Sequence, residues 1–220
     1  MQEIGFIFDM DGVIIDNHEY HYHAWQKTSE KHGGVAFGEQ FYREKMNGKT
    51  LSKLIEVVFP NNHFSQEKAY AIGMEKEMIY REIYQNDLKP TSGLIPFLEM
   101  ARDKSIPMVV GTSAPVENVE FTLDGLDLRK YFVGVVDASM VSHGKPDPEV
   151  YLKCAKLVDR KPENCIVFED APLGMQAGHS AGSKVVALST SHTRDEIDET
   201  YIFDDFTQIT WESIKEVFNQ

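Results

Sequence analysis

The sequence predicts an α/β protein: a Rossmann-like parallel sheet with helices on both faces, plus a small helical domain inserted after the first strand. Three observations predict it. Five short runs are almost continuously apolar, the pattern of strands covered on both faces. Helical patterns alternate with those runs from residue 91 onward, which implies parallel strands joined by crossovers. Between the first run and that alternation lies a long stretch without any convincing strand, rich in helix formers and aromatics.

Taken in order, Glu3–Phe8 is the first strand and ends abruptly at Asp9. Residues 17–85 form the helical insert. Its aromatics are Tyr20, Tyr22, Trp25, Phe41, Tyr42, Tyr70, Tyr80 and Tyr84. Within it, Leu51, Leu54, Ile55 and Val58 recur at spacings of three and four, the mark of an amphipathic helix. Residues 85–90 are the return linker, so the core is 1–16 with 86–220. A helix is expected from Ser92 or Gly93 to Lys104, with Pro96 tolerated in its first turn. Pro107–Gly111 and Val133–Val136 are the next strands. Pro148–Leu157 is a helix opened by proline, Cys165–Phe168 a strand, Ala171–Ala181 a helix and Lys184–Leu188 a strand. Phe206–Phe218 reads as a terminal helix.

Composition narrows the function. The chain has 220 residues, 42% apolar and 26% charged, enough to bury a core without disulfides or structural metal. Its 22 Lys and Arg against 35 Asp and Glu give a formal charge of −13. No Lys/Arg block is present to neutralise a nucleic acid or an anionic membrane, so neither is an expected partner. An acidic chain that binds a small anion then needs a metal or a few well-placed cations. Cys154 and Cys165 sit in apolar stretches and read as buried thiols. No apolar run nears the roughly 18 residues of a membrane span. The N-terminus lacks a basic, apolar leader pattern, so the expected compartment is the cytoplasm.

The chemistry-bearing residues gather at predicted strand ends. Asp9-Met10-Asp11-Gly12 follows the first strand; in extended backbone residues two apart project to one face. Open α/β sheets bind ligands at the carboxyl ends of their strands. Thr112-Ser113 follows the strand ending at Gly111, Lys145 lies in Gly144-Lys145-Pro146-Asp147-Pro148, and Glu169-Asp170 follows the strand ending at Phe168. Each has a plainer reading. Two acids can close a turn, Thr112 or Asp170 can cap a helix, and Lys145 can be a solvated turn residue. Their coincidence in this order is the signal.

That set, Asp9-Met10-Asp11-Gly12-Val13, Thr112, Lys145-Pro146-Asp147-Pro148 and Glu169-Asp170-Ala171-Pro172-Leu173-Gly174, resembles the haloacid dehalogenase superfamily of phosphotransferases over essentially the whole chain. The insert is similar to the superfamily's small helical cap. The resemblance implies that Asp9 attacks phosphorus to form an aspartyl-phosphate and that Asp11 is the general acid and base. It implies that Thr112, with Ser113, and Lys145 hold the phosphoryl oxygens. Mg²⁺ is implied as cofactor, on Asp9, the Asp11 carbonyl and Asp170, with Glu169 in support. Asp11 argues for phosphoryl transfer, because displacing a halide needs no protonated leaving group.

Within the superfamily, Asp16–Trp25 is similar to the β-phosphoglucomutase group's entry into the cap, with His21 and Lys76 at that group's histidine and lysine. The group's cap arginine aligns with Leu51; nearby Lys49 offers charge but lacks a bidentate fork. His21, Lys49 and Lys76 are the expected substrate-side residues. His18, His21 and His23 do not share one helical face and are not expected to hold a transition metal.

The expected function is therefore a Mg²⁺-dependent phosphohydrolase of a small phosphorylated metabolite, a sugar phosphate, acting as a monomer. The alternatives are a β-phosphoglucomutase, interconverting β-glucose 1-phosphate and glucose 6-phosphate, an inorganic pyrophosphatase, or a non-catalytic fold that binds a metabolite or protein.

Overall fold

The structure, a computed structural model, describes residues 3–46 and 51–219. The chain divides into two compact units, Met1–Asp16 with Lys89–Gln220, and Asn17–Leu88. Strand β1 (Gly5–Phe8) opens the first unit. The second contains α1 (His18–His32), α2 (Glu39–Lys45), α3 (Leu51–Val58) and α4 (Gln66–Tyr84). The first unit then resumes with α5 (Leu94–Asp103), β2 (Met108–Gly111) and α6 (Val116–Val119), which runs on into a π-helical turn over Glu120–Asp124. It continues through β3 (Val135–Val136), α7 (Glu149–Leu157), β4 (Cys165–Glu169), α8 (Pro172–Ser180), β5 (Lys184–Leu188), β6 (Ile202–Phe203) and α9 (Trp211–Phe218).

The six strands form one sheet in the order β3-β2-β1-β4-β5-β6, and every pair is parallel. The near-continuous apolar runs follow from burial on both faces. Phe6 and Phe8 of β1 point to one face, where they meet Phe97 of α5, Phe168 of β4 and Phe206; Phe8 stacks on Phe168 at 4.8 Å. Ile7, between them, points to the other face, with Val109 and Val167, under Tyr151, Cys154 and Ala155 of α7 and Ala177 of α8. Burying a phenylalanine side chain contributes about 1.5–3 kcal/mol, so this aromatic cluster is a main source of core stability. Beside β1, the Thr91 N–H donates to the Ile14 carbonyl at 2.9 Å, joining the two places where the core chain breaks off and resumes.

The helical unit is held by its own core of Trp25, Tyr42, Met46, Ile55, Val58, Phe59 and Ile72. Leu51 lies against α4 at Gly73, where a Cβ would come within 2.5 Å of its side chain. Among the described residues no helix is long and apolar enough to cross a membrane.

One expectation changes, and two elements are added to those expected. The terminal helix expected over 206–218 is broken. Phe206–Gln208 makes one 3₁₀ turn, Ile209 is extended, and α9 starts after Thr210. The Asp205 side chain accepts from the Thr207 N–H and the Thr210 side chain from the Ser213 N–H, local bonds that compete with a continuous helix. Strand β6 and the helical segment after β2 were not anticipated.

Candidate active site

Strands β1 and β4 are central neighbours, in register at Phe8 and Phe168. The Asp9 N–H extends their ladder by donating to the Phe168 carbonyl at 3.0 Å, so Asp9 leaves the sheet beside Glu169, the last residue of β4. Asp9, Glu169 and Asp170 are all buried, and each offers an oxygen within 4.8 Å of the others. The Lys145 ammonium joins them, 2.9 Å from Asp9 Oδ1 and 2.6 Å from Glu169 Oε1.

Glu169 is anchored on every side. Oε1 accepts from Lys145 and from the Tyr151 hydroxyl, both at 2.6 Å; Oε2 accepts the N–H groups of Asp170 and Ala171 at 2.9 and 3.0 Å. Gly174, in the first turn of α8, leaves the necessary space, since a Cβ there would lie 1.7 Å from Oε1. Gly12, at φ +75°, turns the chain beside Asp170.

The charges do not balance, with three carboxylates facing one ammonium. Burial pushes the Asp9 carboxyl up to about 7; Lys145 opposes this, while Glu169 and Asp11 reinforce it. Burial, then Glu169 and Asp9, raise Asp170 well above the carboxylate range. Burial also opposes the charge on Lys145, but Asp9 and Glu169 outweigh it and hold the ammonium above its ordinary range. Asp9 Oδ1 is buried, and the Lys145 ammonium, 2.9 Å away, is the charge that faces it. An all-oxygen, buried and under-neutralised cluster of this kind fits a hard divalent cation such as Mg²⁺.

The remaining expected residues are placed as follows. Asp11 is half-buried on the turn after β1, backbone-bridged to Ile15. Thr112 is buried at the end of β2, the strand beside β1, where its Oγ1 accepts the Ala114 N–H at 3.0 Å; Ser113 is exposed. His21 and Lys76 belong to the helical unit and meet there. The buried Lys76 ammonium lies 2.6 Å from His21 Nδ1, and the His21 ring stacks on Tyr80 at 4.0 Å. Lys49 lies outside the described residues. His23 pairs with Glu19 and Gln26, and His18, His21 and His23 form no metal-capable group with the described residues. A second group, His143, Asp147 and Glu149, is bound up in its own loop. Glu149 accepts the Ser142 and His143 N–H groups and pairs with Lys153, while Asp147 accepts the Glu149 N–H.

Sequence reasoning missed three contributors. Tyr151 lies within the helix expected over Pro148–Leu157, and nothing in the sequence marks its hydroxyl as special. Thr190 donates to the Gly12 carbonyl at 2.6 Å and Ser191 to the Asp170 carbonyl at 3.1 Å, tying the loop after β5 to both acidic loops. The available signal was the hydroxyl run Ser189-Thr190-Ser191 at one more strand end.

The chain is similar to known proteins. Residues 5–182 match the family model of the haloacid dehalogenase-like hydrolases. The chain is 33% identical over 184 residues to fructose-1-phosphate phosphatase YqaB of Escherichia coli strain K12, covering 83% of this chain and 94% of that one. It is similar to a haloacid dehalogenase family IA, variant 3 hydrolase from Entamoeba histolytica, with a TM-score of 0.91, 27% identity, and 99% and 100% of the two chains covered. It is also similar to β-phosphoglucomutase from Clostridium difficile, with a TM-score of 0.85, 26% identity, and 98% and 96% covered. Fold and site thus define an α/β enzyme of the phosphatase and phosphotransferase class. The chain belongs to the haloacid dehalogenase-like hydrolase family.

Proposed function

We propose that this chain is a Mg²⁺-dependent phosphohydrolase of a small phosphorylated metabolite, a sugar phosphate, working through an aspartyl-phosphate on Asp9. The observation that carries the reading is the buried group Asp9, Glu169 and Asp170 with Lys145, at the carboxyl ends of adjacent central strands. Similarity to a fructose-1-phosphate phosphatase supports the substrate class.

Asp9 and Asp170 would hold Mg²⁺ with the Asp11 carbonyl, Glu169 supporting them. When bound, the ion supplies the positive charge that lets a phosphate approach buried carboxylates. An Asp9 oxygen attacks phosphorus, and the bond to the sugar oxygen breaks as Asp11 gives that oxygen a proton. Asp11 then takes a proton from water, whose oxygen attacks phosphorus, releasing inorganic phosphate and restoring Asp9. Lys145 balances the negative charge on the phosphoryl oxygens, and the hydroxyls of Thr112 and Ser113 are suited to donate to them.

A second reading, a β-phosphoglucomutase, is favoured by the similarity to the Clostridium difficile enzyme. Against it, Leu51, aligned with that group's arginine, packs on Gly73 inside the helical unit and offers no charge to a second phosphate.

The test is one reaction with β-glucose 1-phosphate, Mg²⁺ and a trace of glucose 1,6-bisphosphate, beside a second with fructose 1-phosphate. Free phosphate as the main product supports the phosphohydrolase. Glucose 6-phosphate with little free phosphate establishes the mutase instead.

A further inference from the structure

We propose that Tyr151 is a positioning residue of the acidic site, its phenol locking Glu169 into a strut so that Asp9 and Asp170 are left to grip the divalent cation. The inference rests on the phosphohydrolase reading and refines which acid does what.

A carboxylate offers about four acceptor positions. In Glu169 all four are taken: two backbone N–H groups on Oε2, and Lys145 and Tyr151 on Oε1. Direct ligation by Glu169 requires giving up one of these bonds. Asp9 Oδ1, by contrast, meets only the Lys145 ammonium, at 2.9 Å. The division of labour follows from that difference, and the tyrosine hydroxyl completes it.

Tyr151 makes a second contact. The Lys145 ammonium lies 4.9 Å from its ring centre, so one side chain both braces Glu169 and faces the cation shared with Asp9. It is completely buried on α7. A phenol is an O–H donor, and here it donates to Glu169 Oε1 at 2.6 Å. Residues that orient metal-site acids from behind typically change metal affinity or activity about 10–100-fold when lost.

Tyr151→Phe keeps the ring over Lys145 and removes only the O–H. Calorimetric Mg²⁺ titration and steady-state kinetics on fructose 1-phosphate would be run on both proteins. The expected result is about tenfold weaker Mg²⁺ binding and about tenfold lower kcat, with KM for the ester within about twofold and the metal-free melting temperature nearly unchanged. Wild-type Mg²⁺ affinity and kcat in Tyr151→Phe would overturn the proposal. A crystal structure of the wild-type protein with Mg²⁺ tests it independently of the variant. Glu169 still bonded to Tyr151 and outside the ion's ligands supports it; Glu169 on the ion with Tyr151 released overturns it. A wild-type protein that neither binds Mg²⁺ nor hydrolyses any phosphate ester removes the phosphohydrolase reading, and this refinement with it.

Discussion

The Asp170 carboxylate lies directly against the backbone of Gly12: a Cβ on that glycine would fall 2.0 Å from Oδ2. Gly12 also sits at φ +75°, a conformation that costs other residues about 1–3 kcal/mol. Both constraints act on one position. Gly12→Ala is expected to lower stability by about 1–3 kcal/mol and to displace Asp170, with a loss of kcat larger than the stability loss explains. Denaturant melts and kinetics on the same preparation check this. A variant with wild-type kcat would show that Asp170 tolerates the displacement.

Asp9→Asn should separate stability from activity. The substitution preserves shape and removes one charge from a cluster where burial already disfavours it. Turnover is expected to fall at least about 10³-fold, because an amide is no nucleophile. The metal-free melting temperature at pH 8 should equal or exceed that of the wild type. Retained turnover would remove Asp9 as the attacking group.

The acidic cluster also sets a pH dependence. The Asp9 pKa rises from its ordinary 3.8 to about 7 on folding, so the folded state binds its proton more tightly than the unfolded one. The resulting stabilisation is complete below about pH 4 and is lost as pH climbs through about 7; Asp170 acts in the same direction. In EDTA this site lowers the melting temperature between pH 5 and pH 8. Mg²⁺ should restore more degrees at pH 8 than at pH 5.5, because at lower pH it competes with protons. Melts in EDTA and in Mg²⁺ at both pH values decide it, and a larger Mg²⁺ effect at pH 5.5 would contradict this origin.

Cys154 and Cys165 should be silent toward thiol reagents in the native state. Both are buried, and burial pushes the Cys165 thiol up to about 12 and Cys154 still higher. The thiolate is the reactive form, so at pH 8 almost none is available. A chromogenic disulfide reagent should report two thiols only after unfolding. A thiol that reacts within minutes in the folded protein would mean that α7 or β4 opens locally.

What the sequence disclosed and what it hid divide along physical lines. Lys184–Leu188 was visible as a strand because double-sided burial leaves a nearly unbroken apolar run. Ile202–Phe203 was not, since two residues carry no period. The false continuity of 206–218 came from apolar spacing, which ignores the Asp205 and Thr210 side chains that end one segment and start the next. In the site, Asp9, Lys145, Glu169 and Asp170 were expected at strand ends because their order along the chain is distinctive. Tyr151 was hidden because its significance lies in a hydrogen bond to another element. Helical periodicity reports that a residue is inside, not what its hydroxyl touches.

One backbone bond suggests how such a chain could diversify. Thr91 N–H and the Ile14 carbonyl, 2.9 Å apart, bring the two edges of the interruption in the core together. Residues 17–88 therefore leave and return across a gap already closed by the core, and a segment inserted there adds little loop-closure cost however long it is. The helical unit is placed like a cassette. Its sequence can drift, or be exchanged for another, while the strand ends bearing the acids keep their register. Substitutions inside one folded piece can thus accumulate with little penalty in the other.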